Sequence, residues 1–388
     1  MESGIRQGCP LSPMLFAVVM DVLLRAIPGA LDKEAHHWVF ADDVGVVMSS
    51  AVDQLPALQR LLDRFGKISG MEMNVAKTVL LPLWPDSAEE HRRSVTESVP
   101  AWNDIQIATS AIYLGVRIGP GKEEREWETA ALRLQAKLRG WQWNQIGLHF
   151  AATIYNIYVQ STLGFTAQVA DHTAAIQQLE QAALRKAAPG PGGWIRSEEL
   201  WHLRALGLPY EFKSTAVTAR AAKLRVHANE NRRQGGGLDC DGLFEQTAKD
   251  IRDLHFPTRL HWLTDWHSRA VHTIIWEEVE RARQDGIEAP LLLNKGVTGR
   301  TEADKRKRRE NRRQLQAAIT KAIKANDRYH PIMRVRAKLS RWKLGKTARV
   351  LGERFLRFMQ HLKAGTTPRV QAAVLKTAWN AWGTARRF

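Results

Sequence analysis

The sequence predicts an α+β fold over its first third, followed by a chain that is helical almost throughout. Three observations carry this. Two β-rich runs, residues 38–41 and 44–48, stand back to back around Asp42 and Asp43, the spacing of a tight hairpin. Apolar residues recur at helical spacing on both sides of that hairpin. Beyond about residue 120 the alternation fades and the helical period alone remains.

The elements follow in order. Leu11, Met14, Leu15, Val18, Val22 and Ala26 share a helical period, with Ser12 as N-cap and Pro13 at the first helical position. They are expected to face a core, in a helix that ends at Pro28-Gly29. From Val52 a second helix carries Leu55, Leu58, Leu62 and Phe65 on one face and stops at Ser69-Gly70. A short apolar run from Val79 to Leu83 follows. Helical patterns then cover Trp127 to Leu138 and Ala151 to Leu163. The runs Pro189-Gly190-Pro191-Gly192-Gly193 and Gly235-Gly236-Gly237 are expected linkers, because these residues end helices. Domain boundaries are accordingly expected to divide residues 1–120, 121–190, 191–235 and 236–388. Trp262 and Trp266, on one helical face, and Trp276 are expected core residues.

Composition narrows the function. A hydrophobic share of 44% with 25% charged residues is that of a globular chain. Fifty-seven Lys and Arg against forty Asp and Glu leave a net charge of +17. Such an excess favours a polyanion, since neutralising phosphates releases condensed counterions, and makes nucleic acid the leading partner. A run of eighteen apolar residues and a signal peptide are not found, so no membrane partner is expected and the chain is expected to be intracellular. The two cysteines, Cys9 and Cys240, are too far apart in sequence to write a Cys-x-x-Cys zinc site.

The chemistry-bearing pattern begins at Asp42-Asp43. Adjacent carboxylates repel unless a cation or solvent compensates them, which suits a divalent-metal ligand; taken alone, the pair also reads as a solvated turn. Four blocks supply context: Gly4-Ile5-Arg6-Gln7-Gly8-Cys9-Pro10-Leu11-Ser12-Pro13, then Phe40-Ala41-Asp42-Asp43, then Gly70-Met71-Glu72-Met73-Asn74-Val75-Ala76-Lys77-Thr78, and finally Tyr113-Leu114-Gly115. In this order and spacing they resemble the reverse transcriptases of non-LTR, LINE-type retrotransposons. Farther on, Leu206-Gly207-Leu208-Pro209 resembles the segment that follows the helical thumb in these enzymes.

The resemblance implies a partial polymerase palm, with a small antiparallel sheet backed by helices, over residues 1–120. It implies a helical thumb at 121–190, a post-thumb segment at 191–235 and a basic, mostly helical region at 236–388. It further implies RNA-directed addition of deoxynucleotides to a DNA primer 3′ end on an RNA template, by two-metal catalysis with Mg2+, or Mn2+ in its place. Asp42 and Asp43 become the metal ligands and, with Lys77, the catalytic set. Arg6, Gln7 and Gly8 become the contacts to nucleotide and template, and Tyr113, Leu114 and Gly115 the primer grip. Asp42, read as the end of a buried strand, is the expected direct ligand. Lys77 offers charge or a proton to the departing phosphates; without its block it reads equally as an exposed basic residue.

Members of the family carry another metal-binding aspartate on a palm strand before the Gly-x-x-Gln-Gly block, whereas Met1 stands just ahead of Gly4. The chain is therefore expected to be N-terminally truncated, without the fingers, catalytically incomplete alone and dependent on that missing part. The alternative is a non-catalytic nucleic-acid-binding protein derived from a degenerate element. The Lys305 to Arg313 run, with Trp342, Lys343, Lys346 and Arg349, is a candidate for phosphate and base contact or for nuclear import.

Overall fold

The computed structural model describes residues 8–84, 88–122, 125–233, 240–253, 257–287, 301–342 and 348–381. Arg6, Gln7, Lys343 and Lys346 lie outside them, as does the Gly235-Gly236-Gly237 run. The chain forms two compact units, one of residues 1–124 with 254–263 and one of residues 125–253 with 264–388.

The first unit contains helices α1 (Ser12–Ala30), α2 (Ala51–Ser69) and α3 (Ala88–Ser98) and strands β1 (His36–Phe40), β2 (Asp43–Val47), β3 (Val79–Leu80), β4 (Gln106–Ile107), β5 (Ala111–Tyr113) and β6 (Val116–Ile118). The strands form three two-stranded sheets rather than one antiparallel sheet. β1–β2 and β5–β6 are antiparallel hairpins, whereas β3 pairs with β4 in parallel, Val79 opposite Gln106. The β3–β4 pair is parallel because its strands are joined through α3, a crossover that a tight turn cannot make.

α1 departs from expectation in three ways. Leu11 rather than Ser12 takes the N-cap position, and Pro28 lies inside the helix, which continues to Ala30. Its buried face is Met20, Leu23 and Ile27, packed in one cluster with Leu55, Leu58 and Phe65 of α2 and with Val95, Trp102 and Ile105. Leu11, Met14, Leu15, Val18 and Val22, expected in the core, are exposed. A helix apolar all round carries no stripe to say which side is buried. The third difference is length: α1 has 19 residues and, although Asp21 and Arg25 interrupt its apolar run, an 18-residue window of mean hydropathy 1.6 makes it long and apolar enough by length and composition to cross a membrane. Its Asp21–Arg25 ion pair at 2.7 Å, and its packing on α2, mark it as a helix of this unit's core with one bare face.

The second unit is all helix: α4 (Glu128–Arg139), α5 (Trp143–Ile146), α6 (Leu148–Ile154), α7 (Ala174–Ala187), α8 (Ser197–Trp201), α9 (Thr215–Arg233), α10 (Cys240–Asp253), then α11 (Pro257–Ser268), whose first half belongs to the first unit. α12 (Val271–Gln284), α13 (Glu302–Ala325), α14 (Pro331–Leu339), α15 (Ala348–Gly365) and α16 (Pro368–Ala378) complete it. A π-helical turn, Tyr155–Val159, follows α6 directly.

One apolar cluster gathers Leu134, Tyr155, Leu163, Leu184, Leu200, Leu203, Leu206 and Leu208 with Met359, Leu375 and Trp379. Gly207 stands between two of these leucines at φ +90, with Met359 Cβ only 2.6 Å from where a side chain would begin. That accounts physically for glycine between Leu206 and Leu208. The Pro191-Gly192-Gly193 stretch is a 3-10 turn beside Trp194, which is buried and donates its indole N–H to the Ala188 carbonyl at 3.1 Å. Trp266 and Trp276 are exposed, not core, and Trp276 lies beneath the Arg283 guanidinium at 5.4 Å. Trp262 is half-buried, its indole N–H donating to the Leu83 carbonyl at 2.8 Å.

Three carboxylates are buried in this unit, Glu180, Glu199 and Glu278, and the first two differ in their partners. Glu199 accepts from Arg334 at 2.8 Å, from the Trp379 indole at 2.8 Å and from the Arg196 backbone N–H at 2.7 Å, with Lys338 at 4.0 Å. Burial would raise its pKa, but these donors and charges hold it below the usual value. Glu180 is equally buried yet, among the described residues, has no charged partner and accepts from the Thr215 backbone N–H at 2.6 Å. Burial pushes its pKa up to about 7. Neither glutamate stands out in the sequence.

Candidate active site

The β1–β2 hairpin positions the central residues. Its register pairs Phe40 with Asp43, so the two-residue turn is Ala41-Asp42 and Asp43 is the first residue of β2, one position earlier than the sequence pattern suggests. Ala41 has φ +53. A two-residue hairpin needs positive φ at its first turn position to match the strand twist, and an alanine meets that need at a cost of about 1–2 kcal/mol. β1 is not the buried strand expected, since His36, Trp38 and Phe40 are exposed and only His37 and Val39 turn inward. Asp42 and Asp43 are both exposed, with no hydrogen bond or ion pair among the described residues.

Cross-strand neighbours point to the same face, so Asp43 shares a face with Phe40, and Gly45 with Trp38. Because side chains alternate along a strand, these four positions line one surface. Tyr113 lies there. A Cβ at Gly45 would be 3.4 Å from the Tyr113 ring, and the Tyr113 hydroxyl is 3.5 Å from the Trp38 carbonyl oxygen. The structure thus brings the Tyr113 hairpin onto the hairpin of Asp42 and Asp43. Gly45, Trp38 and Phe40 are parts of this arrangement that sequence reasoning missed. The signal for Gly45 was there, since a lone glycine in a strand pattern marks close approach of another group.

Leu114 and Gly115, at φ +49 and +81, form the turn between β5 and β6. Positive φ at both central residues is the type I′ pattern of a tight hairpin. Lys77 ends a 3-10 turn, Val75–Lys77, capped by Asn74, whose Oδ1 accepts from the Lys77 backbone N–H at 3.1 Å. Thr78 Oγ1 donates to the Asn74 carbonyl at 2.9 Å. These bonds explain the spacing of Asn74, Lys77 and Thr78, which closes a local turn and leaves the Lys77 side chain exposed. The structure gives Lys77 no contact with Asp42 or Asp43. Gly8 is exposed at φ +88 with nothing within 4 Å of a Cβ position, a left-handed turn before α1 with open space beside it.

The donor set suits a hard divalent cation in part. Mg2+ is commonly held by one or two carboxylates, with water and substrate phosphate completing its shell, and Asp42 and Asp43 offer two uncommitted ones. Among the described residues no group of three or more His, Cys, Asp or Glu is placed to hold a metal ion.

Residues 1–118 match the family model described as reverse transcriptase (RNA-dependent DNA polymerase), which takes in the whole of this arrangement. This stretch matches reverse-transcriptase sequence, and the chain is similar to proteins of non-LTR retrotransposons. The relatives are Pol polyproteins of R2 elements. The chain is 35% identical over 79 residues to the retrovirus-related Pol polyprotein from type-2 retrotransposable element R2DM of Drosophila melanogaster, covering 19% of this chain and 7% of that protein. It is 36% identical over 94 residues to that from type-1 retrotransposable element R2 of Nasonia vitripennis, covering 22% and 9% respectively. The aligned stretches span less than a tenth of either relative.

Proposed function

We propose that this chain is the palm and thumb portion of an RNA-directed DNA polymerase that adds deoxynucleotides to a DNA primer on an RNA template. The observation that carries the reading is the exposed Ala41-Asp42 turn and Asp43, with Tyr113 seated on the same hairpin. In this reading residues 1–120 are palm, 121–190 thumb, 191–235 a post-thumb segment and 236–388 a basic region that adds affinity for nucleic acid.

Asp42 and Asp43 would hold Mg2+, whose chemistry there would be to activate the primer 3′ oxygen and to neutralise charge on the leaving pyrophosphate. Asp43 shares its face with Tyr113 about two strand residues away, roughly 7 Å, which supports the tyrosine hairpin as the element that fixes the primer end beside the carboxylates. Lys77 supplies positive charge to the departing phosphates. Arg6, Gln7 and Gly8 border the nucleotide and template base. The bare face of α1, with Met14, Val18 and Val22, is where further polymerase polypeptide packs. Each such side chain gains about 1.5–3 kcal/mol on full burial.

Template choice tests the reading. Incorporation should require Mg2+ or Mn2+ and proceed on primed RNA. Incorporation on primed RNA that persists in excess chelator would overturn it. A second reading, a non-catalytic nucleic-acid binder, is favoured by the net charge of +17 and predicts salt-sensitive RNA binding without incorporation under any metal.

A further inference from the structure

We propose that the exposed aromatic face of residues 141–165 in the second unit is a stacking platform for single-stranded RNA. The Trp141 and Tyr158 rings lie 5.9 Å apart at an interplanar angle of 41°. Both are exposed, at 38% and 49%, as are Phe150, Ile157 and Phe165. Residues 150, 157 and 158 fall on one side of a continuous helical path, and the π-helical turn at Tyr155–Val159 sets Tyr158 against Trp141. A π turn is rare and tends to occur where a helix carries function.

Charge identifies the occupant. From Thr129 to Ala170 the chain has no aspartate or glutamate, while Arg133, Lys137 and Arg139 are exposed on α4, whose opposite stripe, Ala130, Leu134 and Leu138, is buried. Lys213 borders the same face, its backbone N–H donating to Asn156 Oδ1 at 2.8 Å, and its side chain is exposed. A solvent-facing Trp-Tyr pair in a stretch that carries exposed cations and no carboxylate of its own offers what a polynucleotide needs, ring faces for bases and positive charge for phosphates. Only unpaired bases have free faces to stack, so the ligand is single-stranded. That it is RNA rests on the proposed function, in which the template is the strand that approaches unpaired.

The test is equilibrium binding of the full chain to a single-stranded oligouridine and to a blunt RNA–DNA duplex of equal length. Trp141→Ala and Tyr158→Ala should each raise the Kd for the single strand about tenfold and leave duplex binding within about twofold. Trp141→Phe and Tyr158→Phe should restore most of the affinity, since a ring face remains. Both residues are exposed, so thermal unfolding should be unchanged and binding losses are not losses of fold. Single-strand affinity that is unchanged in the Trp141→Ala/Tyr158→Ala double variant, or equal losses on duplex, would overturn the platform. So would loss of self-association with RNA affinity intact, which would mark the face as a contact between chains. The readout is binding, so a chain that binds as described yet never incorporates nucleotides refutes the polymerase reading and not this one.

Discussion

Tyr113 lies over Gly45, its ring 3.4 Å from where a Cβ would stand and its hydroxyl 3.5 Å from the Trp38 carbonyl. The relationship joins two hairpins through ring packing on bare backbone. The hydrogen bond is at the limit of useful distance and contributes little.

Removing the hydroxyl alone should therefore matter little. Tyr113→Phe is expected to cost less than about 0.5 kcal/mol and Tyr113→Ala about 1–2 kcal/mol, because the side chain is half-buried. Gly45→Val should act like Tyr113→Ala by forcing the ring away. Urea unfolding of the three variants measures this order, and equal losses for the Phe and Ala variants would contradict it.

The turn itself stores strain. Ala41 at φ +53 holds a conformation that glycine adopts freely, so Ala41→Gly should stabilise the chain by up to about 1 kcal/mol despite glycine's greater freedom when unfolded. The denaturation midpoint would rise. A fall would mean that the Ala41 methyl makes contacts worth more than the strain.

Glu199 is the most consequential side chain of the second unit. Glu199→Ala leaves Arg334, Lys338 and the Trp379 indole without their shared acceptor and should cost about 3–5 kcal/mol. Thermal unfolding checks this. Gly207→Ala should be of similar weight, since the new Cβ would meet Met359 at 2.6 Å in a left-handed backbone.

Glu180 makes stability depend on pH in the opposite direction from most carboxylates. Its pKa is pushed up to about 7 in the folded chain, by burial first, from 4.5. Below pH 4.5 the group is neutral folded or unfolded. Between there and pH 7 the unfolded chain ionises while the folded chain keeps its proton, so stability falls as pH rises, by about 3 kcal/mol in total. Glu180→Gln should flatten that part of the profile. An unchanged slope between pH 5 and pH 8 would contradict the assignment.

The sequence made the Asp-Asp hairpin legible because two period-2 runs with nothing but a turn between them have few other solutions. Its register was off by one residue because an alanine at positive φ leaves no mark in sequence. α2 was readable in full, with Leu55, Leu58 and Phe65 inward and Gly70 as C-cap at φ +71, since its apolar stripe is narrow. α1 was not, because apolar residues surround it and the choice of Met20, Leu23 and Ile27 belongs to the packing of α2. Glu199 and Glu180 were invisible for a related reason. A glutamate in a helix looks solvated until its partners are known, and Arg334 and Trp379 are far away in sequence. The exposed Trp266 and Trp276 failed in the reverse sense, because a large apolar residue at helical spacing need not face inward.

In the proposed function, Asp42 in the hairpin turn and Asp43 beside it form the metal-bearing centre of an RNA-directed DNA polymerase. The most direct test is Mg2+-dependent incorporation of labelled deoxynucleotide on a primed RNA template by the longest polypeptide that carries these residues, beside its Asp42→Ala variant. Loss of a ligand worth about 4 kcal/mol of transition-state stabilisation should lower the rate about a thousandfold, with primer and template binding retained. Incorporation by the variant at close to the unsubstituted rate would contradict the claim.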